Sequence, residues 1–475
     1  MVKKLFSFFG MLISNKIFQI VFLGWFARVI FTLFFAKAYY GTDNIYYNYD
    51  SGAWALCFQN LYYYGQFSID ITHPLGYFVR MPGYSFFLGV FYLLCNKDWI
   101  TTFFVAGWFQ IAMDTFNIYL VYRITFLLSK KEKAGLITAF IYAFYPFIIV
   151  WNPLCYSEVP AVTFLLLSLF MMLKRETKYY AFLSLSSVSL GILFRPQLFL
   201  VLPFIIIYII WPYLRNTRAL SILSMQMLLG FCVFYMPWPI RNYINHNKIL
   251  LTHDLRGFAN WDKDVMSFTY FIYSVQAEWE PQFSQIIKNQ KVDFPKGVKF
   301  SESDSILLSR AFYLSKNCGK GFSMWRGYWK TPIEGIACND SISQIFTHLR
   351  EKQMNENPIN FWINLPLKNL KKAIFKDKLY DTNSMVRKIA SSLFYYRTFL
   401  ILLGLFCTIY LLKTENFHLF CTMSLGFFVL LYMSLCAGTG PLMRNIEIRY
   451  FLPADILLLI PVGIFFGERF FLTKK

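Results

Sequence analysis

Two carboxylates and four arginines stand out in a chain otherwise poor in charge. Asp50 opens the segment Asp50-Ser51-Gly52-Ala53-Trp54-Ala55, and Glu158 lies in Tyr156-Ser157-Glu158-Val159-Pro160. Arg80 heads Arg80-Met81-Pro82-Gly83-Tyr84, Arg195 precedes Pro196, and Arg449 precedes Tyr450. Arg241 sits in Pro237-Trp238-Pro239-Ile240-Arg241-Asn242. A carboxylate can take the proton from an attacking hydroxyl. A guanidinium fork grips phosphate oxygens at two points and does not deprotonate in proteins. The set therefore suits transfer of a group away from a phosphate. Each residue also has a plainer role open to it. Asp50 suits a helix N-cap, Glu158 and Pro160 suit any first helical turn, and an arginine can simply snorkel to a membrane interface. Six such residues on one face are harder to explain that way.

That common face follows from the elements that carry them. Hydrophobic residues make up 57% of the 475, aromatics 21% and charged residues 15%, where a soluble chain carries about a quarter charged. Apolar runs approach the ~20 residues that a helix needs to cross a bilayer. The expectation is an all-α polytopic membrane protein with about ten spans: 17–37, 100–128, 134–151, 158–173, 180–194, 197–213, 219–236, 393–412, 417–436 and 451–467. Lys3 and Lys4 before Leu5–Ile13 resemble a secretion signal, yet no small-residue cleavage site follows, so a retained first span is expected. Basic clusters at 130–133, 174–178, 215–218, Lys413 and 469–475 then share the cytoplasmic side. Loops 38–95, 152–158, 195–196, 237–392 and 437–450 fall together on the outer face. Within the first, Trp54, Cys57, Phe58 and Leu61 recur at helical spacing, and Met81–Cys95 is apolar but short, so juxtamembrane helices are expected in both places. The organisation expected is a catalytic core over 1–240, a mixed, polar extracytoplasmic domain over 241–392, and C-terminal membrane helices over 393–475.

A net charge of +20 is accounted for by the cytoplasmic loops and by phosphate-bearing lipids, so no nucleic-acid partner is expected. Nine cysteines show no C-x-x-C and no zinc spacing; Cys318 and Cys338 share one hydrophilic region and could pair. The five histidines (His73, His246, His253, His348 and His418) show no ligand spacing. Two carboxylates could hold a divalent ion, but neighbouring arginines disfavour it, so no metal and no cofactor is expected. Asp114, inside the second span, is expected to bond a neighbour in the bundle, and Arg444 and Glu447 could form a local pair.

In this order the elements resemble the membrane glycosyltransferases of the GT-C fold, most like the protein O-mannosyltransferase and lipid A aminoarabinose transferase group (glycosyltransferase family 39-like). The resemblance covers about 17–240 and Arg449-Tyr450. It rests on Asp50, Ala55, Leu61 and Gly65, on Arg80, Pro82, Gly83 and Tyr84, on Glu158, on Arg195-Pro196, and on Pro237-Trp238-x-x-Arg241-Asn242. Gly257-Phe258-Ala259-Asn260-Trp261 is similar to a loop of the same group. Many members carry Asp-Glu where this chain has Asp50-Ser51.

The resemblance implies a polyprenyl-phosphate sugar as donor, a lipid, glycan or protein as acceptor, and inversion at the sugar. Asp50 would act as base, and Glu158 would position the acceptor or steady positive charge on the sugar. Arg80, Tyr84, Arg195, Arg241, Arg449 and Tyr450 would hold the donor phosphate, and Trp261 the acceptor. Abundant Phe, Tyr, Asn and Lys suggest an AT-rich genome, hence a bacterial inner membrane with the site facing outward. A glycan flippase, or a polymerase or ligase using diphosphate-linked oligosaccharides, are the alternatives. A flippase would favour an internal repeat and charge near mid-membrane, and neither is seen.

Overall fold

The computed structural model describes residues 15–258, 261–276, 279–288, 290–295, 298–326, 338–377, 384–438 and 447–469. Among these residues every regular element is a helix. The N-terminal half holds α1 (Lys16–Tyr40), α2 (Tyr49–Tyr64), α3 (Pro82–Leu94), α4 (Trp99–Ser129), α5 (Glu132–Ala143), α6 (Pro146–Ile149), α7 (Glu158–Leu173), α8 (Tyr180–Phe194), α9 (Pro196–Tyr213), α10 (Thr217–Tyr235) and α11 (Pro237–His246). Then come α12 (Lys263–Val275), α13 (Glu280–Ile287), α14 (Glu302–Asn317), α15 (Lys320–Arg326), α16 (Asn339–Glu356), α17 (Leu365–Ile374), α18 (Met385–Leu411), α19 (His418–Ala437) and α20 (Ile448–Arg469).

Seven of them, α1, α4, α9, α10, α18, α19 and α20, are long and apolar enough to cross a membrane. The other three expected spans fall on shorter helices: α5 has 12 residues, α7 has 16 and α8 has 15. At 1.5 Å per residue α7 rises about 24 Å, short of a ~30 Å hydrocarbon layer. The expected span 134–151 is interrupted where Tyr145 turns extended before Pro146, because the residue before a proline is driven out of the helical region.

Helix α20 is the axis of the bundle. Its residues Phe451 to Ile464 are almost all buried, and it packs against α4, α5, α7, α18 and α19. Arg449 therefore starts from the most enclosed of the seven long apolar helices. Two glycines let the loops expected on the outer face reach the same mouth. A Cβ on Gly83 would meet the Leu193 carbonyl at 2.7 Å, so the start of α3 lies flat against the residues leading to Arg195. A Cβ on Gly107 would meet the Pro153 oxygen at 2.6 Å, so α4 seats the loop that leads to Glu158.

Two ion pairs lie inside the bundle. Arg28 of α1 donates to Asp114 of α4 at 2.7 Å, and both side chains are wholly buried. Tyr142 and Asn152 also donate to Asp114, while Arg28 donates onward to the Gly24 and Ala143 carbonyls. Arg397 of α18 meets Asp455 of α20 at 2.8 Å, with Tyr432 and Tyr145 completing the shell. The expected bundle partner of Asp114 is thus real, and its cation is Arg28.

The regular elements described between α11 and α18 are all helices. Phe268, Phe271, Phe322, Phe346 and Ile342 form its core. Cys318 and Cys338 are bonded, with their Cα atoms 5.5 Å apart. The Asp264 carboxylate accepts from the Val265 and Gly321 amides, which ties α12 to α15.

Removing one member of a buried pair leaves a bare charge in a low-dielectric interior. Asp114→Ala should cost roughly 3–5 kcal/mol of stability, read as a lowered melting temperature in detergent. The double variant Arg28→Met/Asp114→Leu should recover most of it. A neutral single variant would show that the pair does not hold α1 to α4.

Candidate active site

The start of α2 decides what Asp50 can do. Asn48, not Asp50, caps this helix: its side-chain oxygen accepts from the Asp50 and Ser51 amides, and Ser51 completes a capping box. The Asp50 carboxylate is released from capping and turns to two arginines. Arg80 Nη2 lies 2.6 Å from its Oδ1, and Arg449 Nη1 lies 3.3 Å from its Oδ2. Ser51 has a structural task here. Its Oγ donates to the Cys155 carbonyl at 2.8 Å and joins the first outer loop to the second.

The second loop delivers Glu158. The Cys155 amide donates to the Tyr46 carbonyl at 2.7 Å, and Gln110 Nε2 donates to the carbonyls of Asn152 and Leu154. Clamped in this way, Glu158 enters α7 with a side chain only 2% exposed. Its Oε1 pairs closely with Arg195 and lies 3.7 Å from Arg449 Nε. Its Oε2 is buried without a hydrogen-bond partner among the described residues.

Aromatic rings fix the arginines. Arg80 lies over Trp54 at 4.4 Å and Phe258 at 5.2 Å. Arg449 lies over Tyr156 and Tyr450 at 4.9 and 5.0 Å, and Arg195 over Tyr450 at 4.9 Å. Burial raises the Asp50 carboxyl, but the charges of Arg80, Arg449 and Arg195 outweigh it and hold the group at about 2. Glu447 also binds Arg449 Nε at 2.6 Å. Three guanidiniums thus face three carboxylates, so any anion entering here would have to exchange with a carboxylate.

Six of the expected site residues therefore converge: Asp50, Glu158, Arg80, Arg195, Arg449 and Tyr450. Three others lie elsewhere. Tyr84 is wholly buried, with its hydroxyl donating to Gln110 Oε1 at 2.6 Å. Arg241 donates to the Phe67 carbonyl at 2.8 Å and the Tyr77 carbonyl at 3.1 Å, and it lies beside the Trp238 ring. Both have protein partners: Tyr84 supports the second loop through Gln110, and Arg241 ties the first loop to α11. Trp261 packs on Trp279 and Trp325 in the outer region. Ala259, Asn260 and Arg444 lie outside the described residues.

Sequence reasoning passed over His253, whose imidazole is pushed down to about 4 by burial and by the charges of Arg80 and Arg195. A lone histidine in a polar loop carries no spacing signal. It is delivered by its neighbour Asp254, whose amide donates to the Phe78 carbonyl at 2.8 Å. Among the described residues no group of three or more His, Cys, Asp or Glu converges on a metal-sized site.

Residues 72–239 match the family model described as dolichyl-phosphate-mannose-protein mannosyltransferase. The matched stretch includes Arg80, Glu158 and Arg195, and it supports a membrane glycosyltransferase of the GT-C type. No curated protein matches the chain by sequence. Among solved structures the chain is similar to the archaeal oligosaccharyltransferase AglB from Archaeoglobus fulgidus, in complex with an inhibitory peptide and a dolichol-phosphate. The identity is 11%, the TM-score 0.48, and the match covers 95% of this chain and 50% of that one. The Archaeoglobus fulgidus oligosaccharyltransferase in its apo form gives 11% identity, a TM-score of 0.49, and coverage of 94% and 50%. The chain spans about half the length of these structures.

If Arg241 acts as a tie, Arg241→Lys should speed hydrogen exchange across 66–79 and lower the melting temperature, with a penalty of about 1–3 kcal/mol for the unpaired carbonyls. Arg80→Ala should disturb that exchange far less. Weaker donor binding with unchanged exchange would instead place Arg241 on the phosphate.

Proposed function

We propose that this chain moves one sugar from a polyprenyl-phosphate carrier to a hydroxyl-bearing lipid, glycan or protein on the extracytoplasmic side, with inversion. One observation carries the reading. A carboxylate, Asp50, is held between Arg80 and Arg449 at the mouth of the bundle, with Glu158 and Arg195 in the same cluster. The family match supports sugar transfer.

The leaving group, a polyprenyl phosphate monoester, is already a weak base and needs no acid to expel it. It needs cations, and guanidiniums set in place before the reaction stabilise the charge that develops on the leaving oxygen. The donor phosphate would take Arg80 and Arg449 from Asp50. Freed of those two charges, the partly buried Asp50 carboxylate becomes more basic, since burial favours its neutral form. Donor binding would therefore prepare the base. Asp50 then accepts the acceptor's hydroxyl proton as its oxygen bonds to the anomeric carbon and the carbon–phosphate oxygen bond breaks. The unpartnered Oε2 of Glu158 offers an acceptor for a sugar or substrate hydroxyl, or negative charge beside an oxocarbenium-like carbon.

Three features support the outward face. Arg449 and Glu468 lie 19 residues apart on one helix, a rise of about 28 Å, and Glu468 meets Lys131 of a basic loop. The site and that loop are thus at opposite ends, and basic short loops mark the cytoplasmic side. The disulfide suits an oxidising compartment.

The test is transfer by purified protein in detergent, with synthetic polyprenyl-phosphate monosaccharides as donors and a membrane extract as acceptor. Asp50→Asn and Arg80→Ala should each lower turnover by about 10²-fold or more. Normal turnover in a folded Asp50→Asn protein removes Asp50 as base. Turnover only with diphosphate oligosaccharides, or lipid movement without turnover, removes the donor class.

The pH profile checks the same assignment. Asp50 at about 2 and His253 at about 4 have both lost their protons well below neutrality. For the free enzyme, kcat/KM should be level on the acid side down to about pH 5. Removing Arg80 should move the acid limb upward, because the carboxyl loses its strongest lowering charge. An acid limb near neutrality in the unaltered enzyme would point to another base.

A further inference from the structure

The outer region carries an apolar helix face that the transfer reading does not use. Between α16 and α18 the chain runs through a π-helical turn, Asn360–Asn364, into α17. One side of this segment faces protein: Phe361, Leu365, Asn369 and Ala373 are buried at helical spacing. The other side presents Ile359, Trp362, Ile363 and Leu367, each more than half exposed. Four large apolar side chains on one stripe, about 12 Å long at helical rise and left uncovered by the described residues, are poorly suited to water.

The height of the stripe follows from its other side. Asn369 Nδ2 donates to the Cys436 carbonyl at 3.0 Å, at the last turn of α19. Arg397 of α18 donates to the Ala373 carbonyl at 2.7 Å, and Thr398 to the Ile374 carbonyl at 2.6 Å. Both partners belong to membrane spans. Arg397 in turn holds Asp455, six residues along α20 from Arg449. The segment therefore lies level with the outer turns of the bundle, at the end that carries the arginine–carboxylate cluster.

We propose that residues 359–374 form a monotopic membrane anchor, inserting Ile359, Trp362, Ile363 and Leu367 at the headgroup–acyl boundary of the leaflet next to the site. Lys368 and Lys371 are exposed on the adjoining surface and complement anionic phospholipid headgroups, while tryptophan is favoured at that depth. The segment follows directly on α16, a core helix of the outer region, and so holds that region against the lipid surface. This inference does not depend on the transferase reading.

The test uses the full chain in nanodiscs containing anionic phospholipid. A bilayer-partitioned aryl diazirine is photolysed and its adducts are located by mass spectrometry; hydroxyl radicals generated in water give the complementary map. Adducts on Ile359, Trp362, Ile363 and Leu367 should exceed those on Phe361 and Leu365 about tenfold, with Trp362 protected from the radicals. Ile363→Asp/Leu367→Asp should lose the adducts at the neighbouring Ile359 and Trp362 while the melting temperature stays within a few degrees. Oxidation of Trp362 without diazirine adducts overturns the anchor in favour of a water-exposed face. Protection from both reagents overturns it in favour of a protein partner, such as a second copy.

Discussion

Asp50 gripped by Arg80 and Arg449 is the contact on which the mouth of this bundle depends. The partners are 30 and 399 residues away along the chain. For them to meet, the first outer loop must fold back on its own juxtamembrane helix and α20 must rise through the middle of the bundle. The backbone ties between loops serve that meeting. Cys155 bonds Tyr46, Ser51 bonds Cys155, and Gln110 holds two carbonyls of the second loop. Each tie satisfies a polar group that burial would otherwise leave bare, so positioning the site and completing the hydrogen bonding are the same physical act.

The same pairing chemistry appears at two depths with different consequences. Arg28–Asp114 has no exposure on either side chain, and Arg397–Asp455 almost none. Neither can exchange partners with a ligand, because nothing can reach it, and Tyr142 and Asn152 at the first pair and Tyr432 and Tyr145 at the second add further bonds to the carboxylates. At the mouth, Asp50 keeps 35% of its side chain exposed and Arg80 keeps 14%. An anion arriving there can compete for the guanidiniums in a way that is closed to the inner pairs. Solvent access, more than residue type, separates the pairs that hold the bundle from the pairs that can do chemistry.

Much of this was legible because a bilayer leaves few options. Long apolar runs must be helices, and the ten expected spans all fall on helical segments, although three are too short to cross unaided. Asp50, Glu158, Arg80, Arg195 and Arg449 were legible as a set because few charges occur near apolar segments. What could not be read was direction. Tyr84 and Arg241 sit in motifs of the right type, but their side chains turn inward to Gln110 and to loop carbonyls, which depends on packing across 26 and 174 residues. Arg28 was missed as the partner of Asp114 for the same reason. The apolar stripe of 359–367 was hidden because Asn360 and Asn364 break its run; only the helical turn brings its members onto one side.

The position of the aromatic residues explains how the mouth can be both charged and specific. Trp54, Tyr156, Phe258 and Tyr450 present ring faces to the arginines. A ring face attracts a cation without neutralising it. Had the same places been filled by further carboxylates, the guanidiniums would be saturated and a phosphate would gain little by entering. Rings instead hold the forks in orientation and limit access of water, while leaving charge for an incoming anion. The carboxylates are matched closely enough to keep the site stable, and loosely enough, as the 3.3 Å separation of Asp50 and Arg449 allows, for the exchange of partners that the proposed donor binding requires.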